Sequence, residues 1–247
     1  MTAVAPPILE VDGLSQRFGG LMAVDDVSMT LAPGELRCII GPNGAGKSTF
    51  FNLISGAIRP TSGSVRFQGR DITGLPVHRV AKLGIGRKFQ VPSVFETLTV
   101  RENLGVAALD KRLTPRHLVR GAAHRRAVDD TLARVILGDR AEVVAGALAH
   151  GEKQWLEIGM ALMTEPLLLL LDEPTAGMTG DETHQTASLV RGLTDRLTIL
   201  VIEHDMQFVR DIASRITVLH RGSVLRDGTL AEIEADEVVR DVYLGRR

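Results

Sequence analysis

The sequence predicts an α/β fold: a mostly parallel sheet flanked by helices, with an N-terminal antiparallel β subdomain and a helical insert. Three observations predict this fold class. Apolar and polar residues alternate over residues 8–18 and 21–31, as in antiparallel strands with one covered face. Continuous aliphatic runs at residues 167–171 and 198–202 are typical of parallel strands that are covered on both faces. Between residues 91 and 146, helical periodicity replaces the strand patterns.

The N-terminal part of the chain alternates between predicted strands and turns that contain glycine. Residues 63–69 continue the antiparallel sheet, because apolar and polar residues alternate there as well. Residues 36–40 predict a buried apolar strand, and residues 49–57 predict the first turns of a helix. Further along, residues 76–83 predict a short helix, and residues 84–90 lead into another strand.

The C-terminal part returns to strand patterns. Residues 216–219 and 224–226 predict two strands that follow the one at 198–202. A helix predicted over residues 179–195 connects the strands at 167–171 and 198–202, which is a βαβ crossover. Because parallel strands end at one edge of their sheet, we expect a ligand site at the carboxyl ends of these strands.

The composition is that of an ordinary globular protein and excludes several classes. The 247 residues carry a net charge of −1, so bulk charge does not indicate a nucleic-acid partner. The single cysteine, Cys38, excludes an intrachain disulfide and fits a reducing cytoplasm. The N-terminus has no signal-peptide pattern, and the longest aliphatic run is too short to span a bilayer. We therefore expect a cytoplasmic chain that reaches the membrane only through partners.

A glycine-rich segment between the predicted strand at 36–40 and the helix at 49–57 carries the first chemical signal. It consists of Gly41, Pro42, Asn43, Gly44, Ala45, Gly46, Lys47, Ser48 and Thr49. Glycines let backbone N–H groups turn inward, and together with the helix N-terminus these groups form an anion site. Lys47 can reach the β- and γ-phosphates of a nucleotide, and the Ser48 hydroxyl can hold Mg²⁺. The segment therefore predicts a P-loop NTPase core that binds a nucleoside triphosphate; the alternative is a chance glycine turn.

Two acidic residues follow the aliphatic run at 167–171. Phosphoryl transfer needs Mg²⁺ and a positioned water, so carboxylates are expected at the end of a buried strand. Asp172 is predicted to lie in the outer sphere of the metal, bound through water, and Glu173 to orient or deprotonate the attacking water. The alternative is that the Asp-Glu-Pro sequence only ends a strand and starts a turn.

Three further residues are candidates for the same site, and two of them have a structural alternative. His204 follows the strand at 198–202 and can contact the γ-phosphate, whereas a single histidine at a strand end is usually structural. Gln90 can supply an amide oxygen to Mg²⁺ or to water. Phe18 can stack on an adenine ring, or it can belong to the core.

Taken in order, these motifs resemble the nucleotide-binding subunit of ABC transporters over essentially the whole chain. The decisive segment, at residues 148–154, is similar to the ABC signature motif. In that family the signature of one subunit covers the γ-phosphate of ATP held by the other, so two subunits sandwich two ATP molecules head to tail. The resemblance implies an ABC-ATPase type of fold, with ATP and Mg²⁺ as ligands. The residues implied to contact the partner's ATP are Leu148, Ala149, His150, Gly151 and Gln154.

Finer motifs resemble one branch of this family. Residues 18–24 and 98–104 look like the ATPases of branched-chain amino-acid and amide importers. Residues 87–90, 153–160 and 203–210 are similar to one of the ATP-binding subunits of bacterial urea importers. The resemblance thus implies urea as the imported solute, with branched-chain amino acids or short amides as the alternatives, because no residue of such a subunit touches the solute.

The resemblance also implies how the chain is organised and what it contacts. It predicts a single ABC ATPase domain over residues 1–247, in which residues 8–90 and 147–247 form the nucleotide-binding core and residues 91–146 form the helical insert that couples to a permease. The implied partners are a second ATPase subunit in a head-to-tail heterodimer, two membrane permeases and, indirectly, a periplasmic solute-binding protein. No nucleic-acid partner is expected. The chain would lie on the inner face of the cell membrane.

Two positions depart from the pattern of this family. Ala149 stands where a serine is usual, so one hydroxyl donor toward the partner's γ-phosphate is absent, at a cost of about 1.5–3 kcal/mol. Thr179 stands where an aspartate is common, in a segment that links the two subunits. There are three rival functions. A soluble ABC ATPase of DNA repair or translation would need a long coiled-coil insertion or a second domain, and a small GTPase would need an Asn-Lys-x-Asp stretch. A regulatory module that binds ATP without cleaving it is disfavoured by Glu173 and His204.

Overall fold

The computed structural model describes residues 6–88, 94–108, 121–195 and 197–243. Its strands are β1 (Leu9–Phe18), β2 (Leu21–Leu31), β3 (Leu36–Ile40), β4 (Ser62–Phe67), β5 (Arg70–Asp71), β6 (Ile85–Lys88), β7 (Leu168–Asp172), β8 (Thr198–Ile202), β9 (Arg215–His220) and β10 (Ser223–Gly228). Its helices are α1 (Lys47–Ile54), α2 (Val77–Leu83), α3 (Val100–Ala108), α4 (Gly121–Arg134), α5 (His150–Leu162), α6 (Gly180–Leu193), α7 (Met206–Ile212), α8 (Leu230–Ala235) and α9 (Glu237–Tyr243).

The antiparallel β subdomain is a four-stranded sheet in the order β2-β1-β4-β5. Leu9 at the start of β1 lies opposite Leu31 of β2 on one side and Phe67 of β4 on the other. All three side chains are buried. The predicted antiparallel sheet is therefore confirmed, and the structure adds the two-residue strand β5, which is too short to give a periodic signal.

The core sheet has six strands in the order β10-β9-β3-β8-β7-β6. Its strands run parallel, except that β10 pairs antiparallel with β9. The aliphatic strands β3, β7 and β8 lie side by side in the middle and are completely buried, as their sequences predict. Their carboxyl ends meet at one edge of the sheet, where the predicted phosphate loop and the predicted acidic residues follow.

The region predicted as a helical insert contains α3 and α4, followed by short 3₁₀ turns at Gly138–Arg140 and Ala145–Ala147. Helix α3 contacts both α4 and the later helix α5. Leu104 of α3 and Val135, just after α4, pack so closely on α5 that a Cβ at Gly159 would lie 2.9 Å from Leu104 Cδ2. The insert therefore shares its hydrophobic core with α5 and, through α5, with the core sheet.

Two helix boundaries differ from the sequence predictions. Helix α1 begins at Lys47 rather than at residue 49, because Gly46 adopts a left-handed conformation with φ 101° and acts as the N-cap. It ends at Ile54 rather than at residue 57. Helix α6 begins after Thr179, whose side chain accepts a hydrogen bond from the Glu182 N–H and so caps the helix. The short helices α7, α8 and α9 are additions to the predicted elements. Among the described residues, none of the helices is long and apolar enough to cross a membrane.

Candidate functional site

The predicted phosphate loop connects β3 to α1 and leans against the N-terminal sheet. A Cβ at Gly46 would lie 2.3 Å from the carbonyl oxygen of Ala23 in β2, so only glycine fits at this position. On its other side, Ala45 accepts a hydrogen bond from the Gly222 N–H in the β9–β10 turn at 3.0 Å. The loop is thus held between β2 and the β9–β10 hairpin, while Asn43, Gly44 and Ser48 are exposed to solvent.

Lys47 is buried at the base of this loop. Its Nζ donates to the carbonyl oxygens of Gly41 at 2.6 Å and Pro42 at 3.1 Å. Burial lowers the pKa of the Lys47 ammonium, while the charges of Glu173, Asp172 and Glu203 act in the opposite direction. The lysine of the loop and the predicted acidic residues therefore lie within electrostatic reach of one another, as the sheet order requires.

Asp172 is buried at the end of β7. Its Oδ2 lies 3.3 Å from an Arg87 guanidinium nitrogen of β6. Its Oδ1, also shielded from water, has no hydrogen-bond partner among the described residues. Burial raises the pKa of Asp172, and the neighbouring Glu173 adds to this effect, whereas Arg87 opposes it. A buried carboxylate oxygen without a donor is a suitable acceptor for a metal-bound water.

Glu173 follows Asp172 in a strained backbone conformation with φ 46°. Its N–H donates to the carbonyl oxygen of Ile202 at 3.0 Å, which ties the turn after β7 to the end of β8. As a result, Glu173 Oε1 lies 3.7 Å from Nδ1 of His204. The structure therefore brings together the two residues that the sequence predicts as base and γ-phosphate contact. Both are partly open to solvent.

Glu203 is a member of this cluster that the sequence analysis did not identify. It is completely buried and accepts hydrogen bonds from the hydroxyl and the N–H of Thr175, and from the N–H groups of His204 and Asp205. The carboxylate therefore fixes both the turn after β7 and the turn after β8. The sequence contains a signal for Glu203, because this acid directly follows the aliphatic strand at 198–202 and precedes His204.

Arg87 is the second residue that the sequence analysis missed. Besides Asp172, its guanidinium donates to Asn52 Oδ1 at 2.8 Å and to Ser55 Oγ at 2.7 Å, both on or directly after α1. It also lies over the ring of Phe51, 5.9 Å from the centroid. Arg87 thus connects the helix that follows the phosphate loop to the acidic residue at the end of β7.

Two residues that the sequence predicts for this site remain, Phe18 and Gln90. Phe18 ends β1 and is 49% exposed, which is unusual for a phenylalanine and excludes the alternative that it belongs to the core. Gln90 lies outside the described residues, two positions after the end of β6.

The segment predicted as the signature forms the N-terminus of α5. Ala149 is the N-cap and has no side-chain acceptor, so only half of a capping box is present: the Ala149 N–H donates to Glu152 Oε2 at 2.9 Å. His150 is exposed, and its Nε2 lies 2.9 Å from the carbonyl oxygen of Ala176, in the turn after β7. Leu148 and Gly151 are buried, and Gln154 is only 2% exposed.

The N-termini of α5 and α6 lie against each other. A Cβ at Gly151 would lie 2.5 Å from Oε1 of Glu182, the residue that completes the capping box of Thr179. The threonine at position 179 therefore has a clear local role, because Thr and Asp are both good N-caps. Through these contacts the predicted signature packs directly on the segment that follows Glu173.

The comparisons with known proteins agree with this geometry. A family model described as "ABC transporter" matches residues 24–176, which is more than half of the chain. The chain is 40% identical to the high-affinity branched-chain amino acid transport ATP-binding protein BraF of Pseudomonas aeruginosa, over 97% of this chain and 98% of that protein. It is also 40% identical to LivG of Salmonella typhimurium, a protein with the same description, over 98% and 99% of the two chains.

Solved structures show the same fold. MJ1267, an ATP-binding cassette of an ABC transporter, is similar with a TM-score of 0.87 and 29% identity, over 97% of this chain and 99% of that one. The dimeric cassette MJ0796, bound to ADP and Pi, is similar with a TM-score of 0.79 and 26% identity, over 90% and 98% of the two chains. The fold, the site and these relatives agree, and the chain therefore belongs to the ABC transporter family as an ATP-hydrolysing domain coupled to transport.

Proposed function

We propose that this chain powers a bacterial importer of branched-chain amino acids or a related small solute, by hydrolysing ATP at the carboxyl edge of the core sheet. The observation that supports the catalytic part most strongly is the cluster at that edge. There Lys47, Asp172, Glu173 and His204 follow three adjacent strands and lie within reach of one another. This cluster combines a phosphate-binding cation, a metal-facing acid and a base beside a histidine.

In this proposal the triphosphate lies along the N-terminus of α1. Backbone N–H groups from Asn43 to Lys47 and the hydroxyls of Ser48 and Thr49 surround the phosphates. The Lys47 ammonium, which contacts loop carbonyls in this structure, is close enough to turn toward the β- and γ-phosphates. The exposed ring of Phe18 offers a surface for the adenine.

The described residues fit a magnesium ion that is held mainly by the nucleotide. Ser48 is exposed beside the loop, and the unpartnered Oδ1 of Asp172 can accept from a water on the metal. Gln90 is proposed as a further ligand. The ion would neutralise charge on the β- and γ-phosphates.

Glu173 is proposed as the residue that orients and deprotonates the attacking water. Its carboxylate is partly exposed and lies beside Nδ1 of His204, whose other ring nitrogen would face the γ-phosphate. Glu203 would hold both backbone turns in place through its hydrogen bonds from Thr175, His204 and Asp205. The water would then attack the γ-phosphorus while Glu173 takes its proton, the bond from the γ-phosphorus to the β–γ bridging oxygen would break, and ADP and inorganic phosphate would leave. Fixed groups would stabilise the charge that develops.

The first test is the Glu173→Gln variant, which keeps the size of the side chain and removes the base. We expect ATP binding to be retained, ATP hydrolysis to be lost, and a dimer to accumulate in the presence of ATP. Steady-state phosphate release, binding of a fluorescent ATP analogue and size-exclusion chromatography measure the three outcomes. Glu10→Gln on β1, away from the site, is the control and should leave all three unchanged. Normal turnover by Glu173→Gln would refute the assignment of the base.

The N-terminus of α5 is proposed to meet the ATP of a second subunit. Ala149, His150 and Gly151 would contact the γ-phosphate there, together with Leu148 packed beneath them, while the buried Gln154 would act by holding His150, 3.2 Å away. Dimeric MJ0796 supports such an arrangement for a related cassette. We propose a head-to-tail heterodimer, because the alanine at 149 would then weaken only the site that holds the partner's ATP.

The remaining partners follow from the same proposal. The chain would be a single ABC ATPase domain over residues 1–247, in which the insert at residues 91–146 docks on a permease, so that closure of the ATP site moves the transport subunits. It would lie on the inner face of the membrane, and a periplasmic solute-binding protein would contact the permeases but not this chain.

The choice of solute rests on the relatives. BraF and LivG are described as branched-chain amino acid transport proteins, and both match essentially the full length of this chain. These relatives support the alternative solutes of the sequence analysis better than its main expectation of urea. Urea was suggested by short motifs near the site, and those motifs concern ATP chemistry rather than contact with a solute.

A further inference from the structure

Strand β6 carries two consecutive cations that point to opposite faces of the core sheet. Arg87 lies beside Leu170 and Lys88 beside Leu171 of β7, and these two leucines belong to different hydrophobic cores. Arg87 reaches α1 and Asp172, as described above. Lys88 reaches the opposite face, where its Nζ lies 3.7 Å from Oε2 of Glu157 on the signature helix α5.

This ion pair is unusually deep. The side chain of Lys88 is 0% exposed and that of Glu157 is 7% exposed. Burying two opposite charges costs a large desolvation energy, and a pair of well-packed apolar residues is often at least as stable in the same place. A buried pair is therefore weak evidence for stability and calls for a different explanation, such as fixing one arrangement of two elements.

The positions of Lys88 and Glu157 indicate which two elements the ion pair holds relative to each other. Lys88 is the last residue of β6 and precedes Gln90, the proposed magnesium ligand, by two positions in the sequence. Glu157 lies about two turns along α5 from His150, on the rigid helix that begins with the signature. Around the pair, α5 packs on the sheet through a shared hydrophobic core, and apolar contacts of this kind allow several similar packings.

We propose that the Lys88–Glu157 pair is a positioning device that sets the signature helix α5 relative to strand β6, and thereby sets the partner-facing surface relative to this chain's own ATP site. Charges of opposite sign have one best separation in a buried setting, so the pair selects a single helix position. This inference rests on the proposed role of α5 in the composite ATP site. Lys88 and Glu157 act through other residues and do not touch the nucleotide.

The test compares the full-length wild type with Lys88→Met, Glu157→Met and the double variant K88M/E157M. We expect each single variant to be destabilised, because it removes the opposite charge that lies beside a buried ion. The double variant should be at least as stable as the wild type and bind ATP with the same KM, yet its kcat should fall by about tenfold.

The matched control is the exposed pair Arg210–Glu234, which joins α7 to α8 at 2.7 Å. Its double variant to methionine should leave kcat unchanged. The measurements are kcat and KM for ATP, and the free energy of unfolding in denaturant. Wild-type kcat in K88M/E157M would overturn the proposal. A fall in activity that is explained by a loss of stability or of ATP affinity would also overturn it. A double variant that fails to fold would do the same, because both results would mean that the ion pair serves folding rather than positioning.

Glu173→Gln is measured in parallel, so that the two proposals fail separately. If Glu173→Gln keeps full ATP turnover, the catalytic site is wrongly assigned, whatever effect the Lys88–Glu157 variants have on kcat. If Glu173→Gln is inactive and K88M/E157M is fully active, the site stands and the positioning role is refuted.

Discussion

At the residue scale, the site depends on charges that are buried against their electrostatic preference. Asp172 and Lys47 both lie in places where burial disfavours the charged form. In the proposed mechanism both charges are needed, because Asp172 would face the metal and Lys47 the phosphates. Such groups lower the free energy of unfolding while they preorganise the site, and this cost in stability can be measured.

The replacement Asp172→Asn tests how much the buried carboxylate lowers the stability of the fold. The folded-state pKa of Asp172 is raised above its usual value of 3.8 by burial and by Glu173. The folded protein therefore holds the proton more tightly than the unfolded chain, so ionisation of Asp172 reduces stability as pH rises above the unfolded pKa. In Asp172→Asn the Arg87 guanidinium keeps its acceptors on Asn52 and Ser55, so no buried cation is left without a partner. We therefore expect this variant to raise the free energy of unfolding at neutral pH, with the gain disappearing below the unfolded pKa of Asp172, while ATP hydrolysis falls.

The control for this prediction is Asp71→Asn, which should behave in the opposite direction. Hydrogen bonds from Thr73 lower the pKa of Asp71, so its charge stabilises the fold above the unfolded pKa and this contribution is lost as pH falls. Denaturant unfolding between acidic and neutral pH measures both variants. A loss of stability in Asp172→Asn at neutral pH would contradict the argument.

At the element scale, the phosphate loop is shaped by its neighbours as much as by its own sequence. The loop is pressed between the Ala23 carbonyl of β2 and the β9–β10 turn at Gly222. Glycine is therefore needed at different positions of the loop for different physical reasons. Gly46 is required by close contact as well as by its backbone angle, whereas Gly44, with φ 79°, has open space around it.

The variants Gly46→Ala and Gly44→Ala separate the effect of the left-handed backbone angle from the effect of close contact with β2. Gly44→Ala should cost only the strain of a left-handed alanine, about 1–2 kcal/mol of unfolding free energy. Gly46→Ala adds a clash with the backbone at 2.3 Å, so we expect a clearly larger loss of stability together with loss of ATP binding. Thermal unfolding and titration with a fluorescent ATP analogue give both values. Equal losses in the two variants would show that contact with β2 is unimportant.

At the scale of the whole molecule, the proposed function assigns the energy for transport to this chain and the choice of solute to the permeases and the solute-binding protein. The residues proposed for catalysis, at the carboxyl edge of the core sheet, would act on phosphate, metal and water. Uptake measured in the cell therefore tests the proposed solute.

The cellular test is deletion of the chain in its own host, followed by uptake of labelled leucine and labelled urea. We expect leucine uptake to be lost and urea uptake to persist, in agreement with BraF and LivG. Return of the wild-type chain should restore leucine uptake, and return of Glu173→Gln should not. Loss of urea uptake with normal leucine uptake would reverse the choice of solute.

The sequence by itself determined the parts of this protein that are local. Periodicity predicts β1, β2, β7 and β8, and the glycine-rich spacing before Lys47 predicts a phosphate loop, because backbone geometry and anion binding need particular residues at particular short separations. The aliphatic strands that precede Asp172, Glu173 and His204 predict that these residues lie at the same sheet edge as that loop, because parallel strands end at one edge. The predicted starts of α1 and α6, at residues 49 and 179, differ from the observed starts by one or two residues. A left-handed glycine at position 46 and the side-chain cap of Thr179 decide where these helices begin.

Only the tertiary structure decided which distant side chains share a buried space. Arg87 connects α1 to Asp172, Glu203 binds Thr175 in the turn after β7, and Lys88 meets Glu157. The residues next to each of these groups in the chain do not predict its distant partner. Each depends on which strands are neighbours and on which face of the sheet a residue points to. The free energy of a buried charge is set by these long-range neighbours rather than by adjacent residues in the chain.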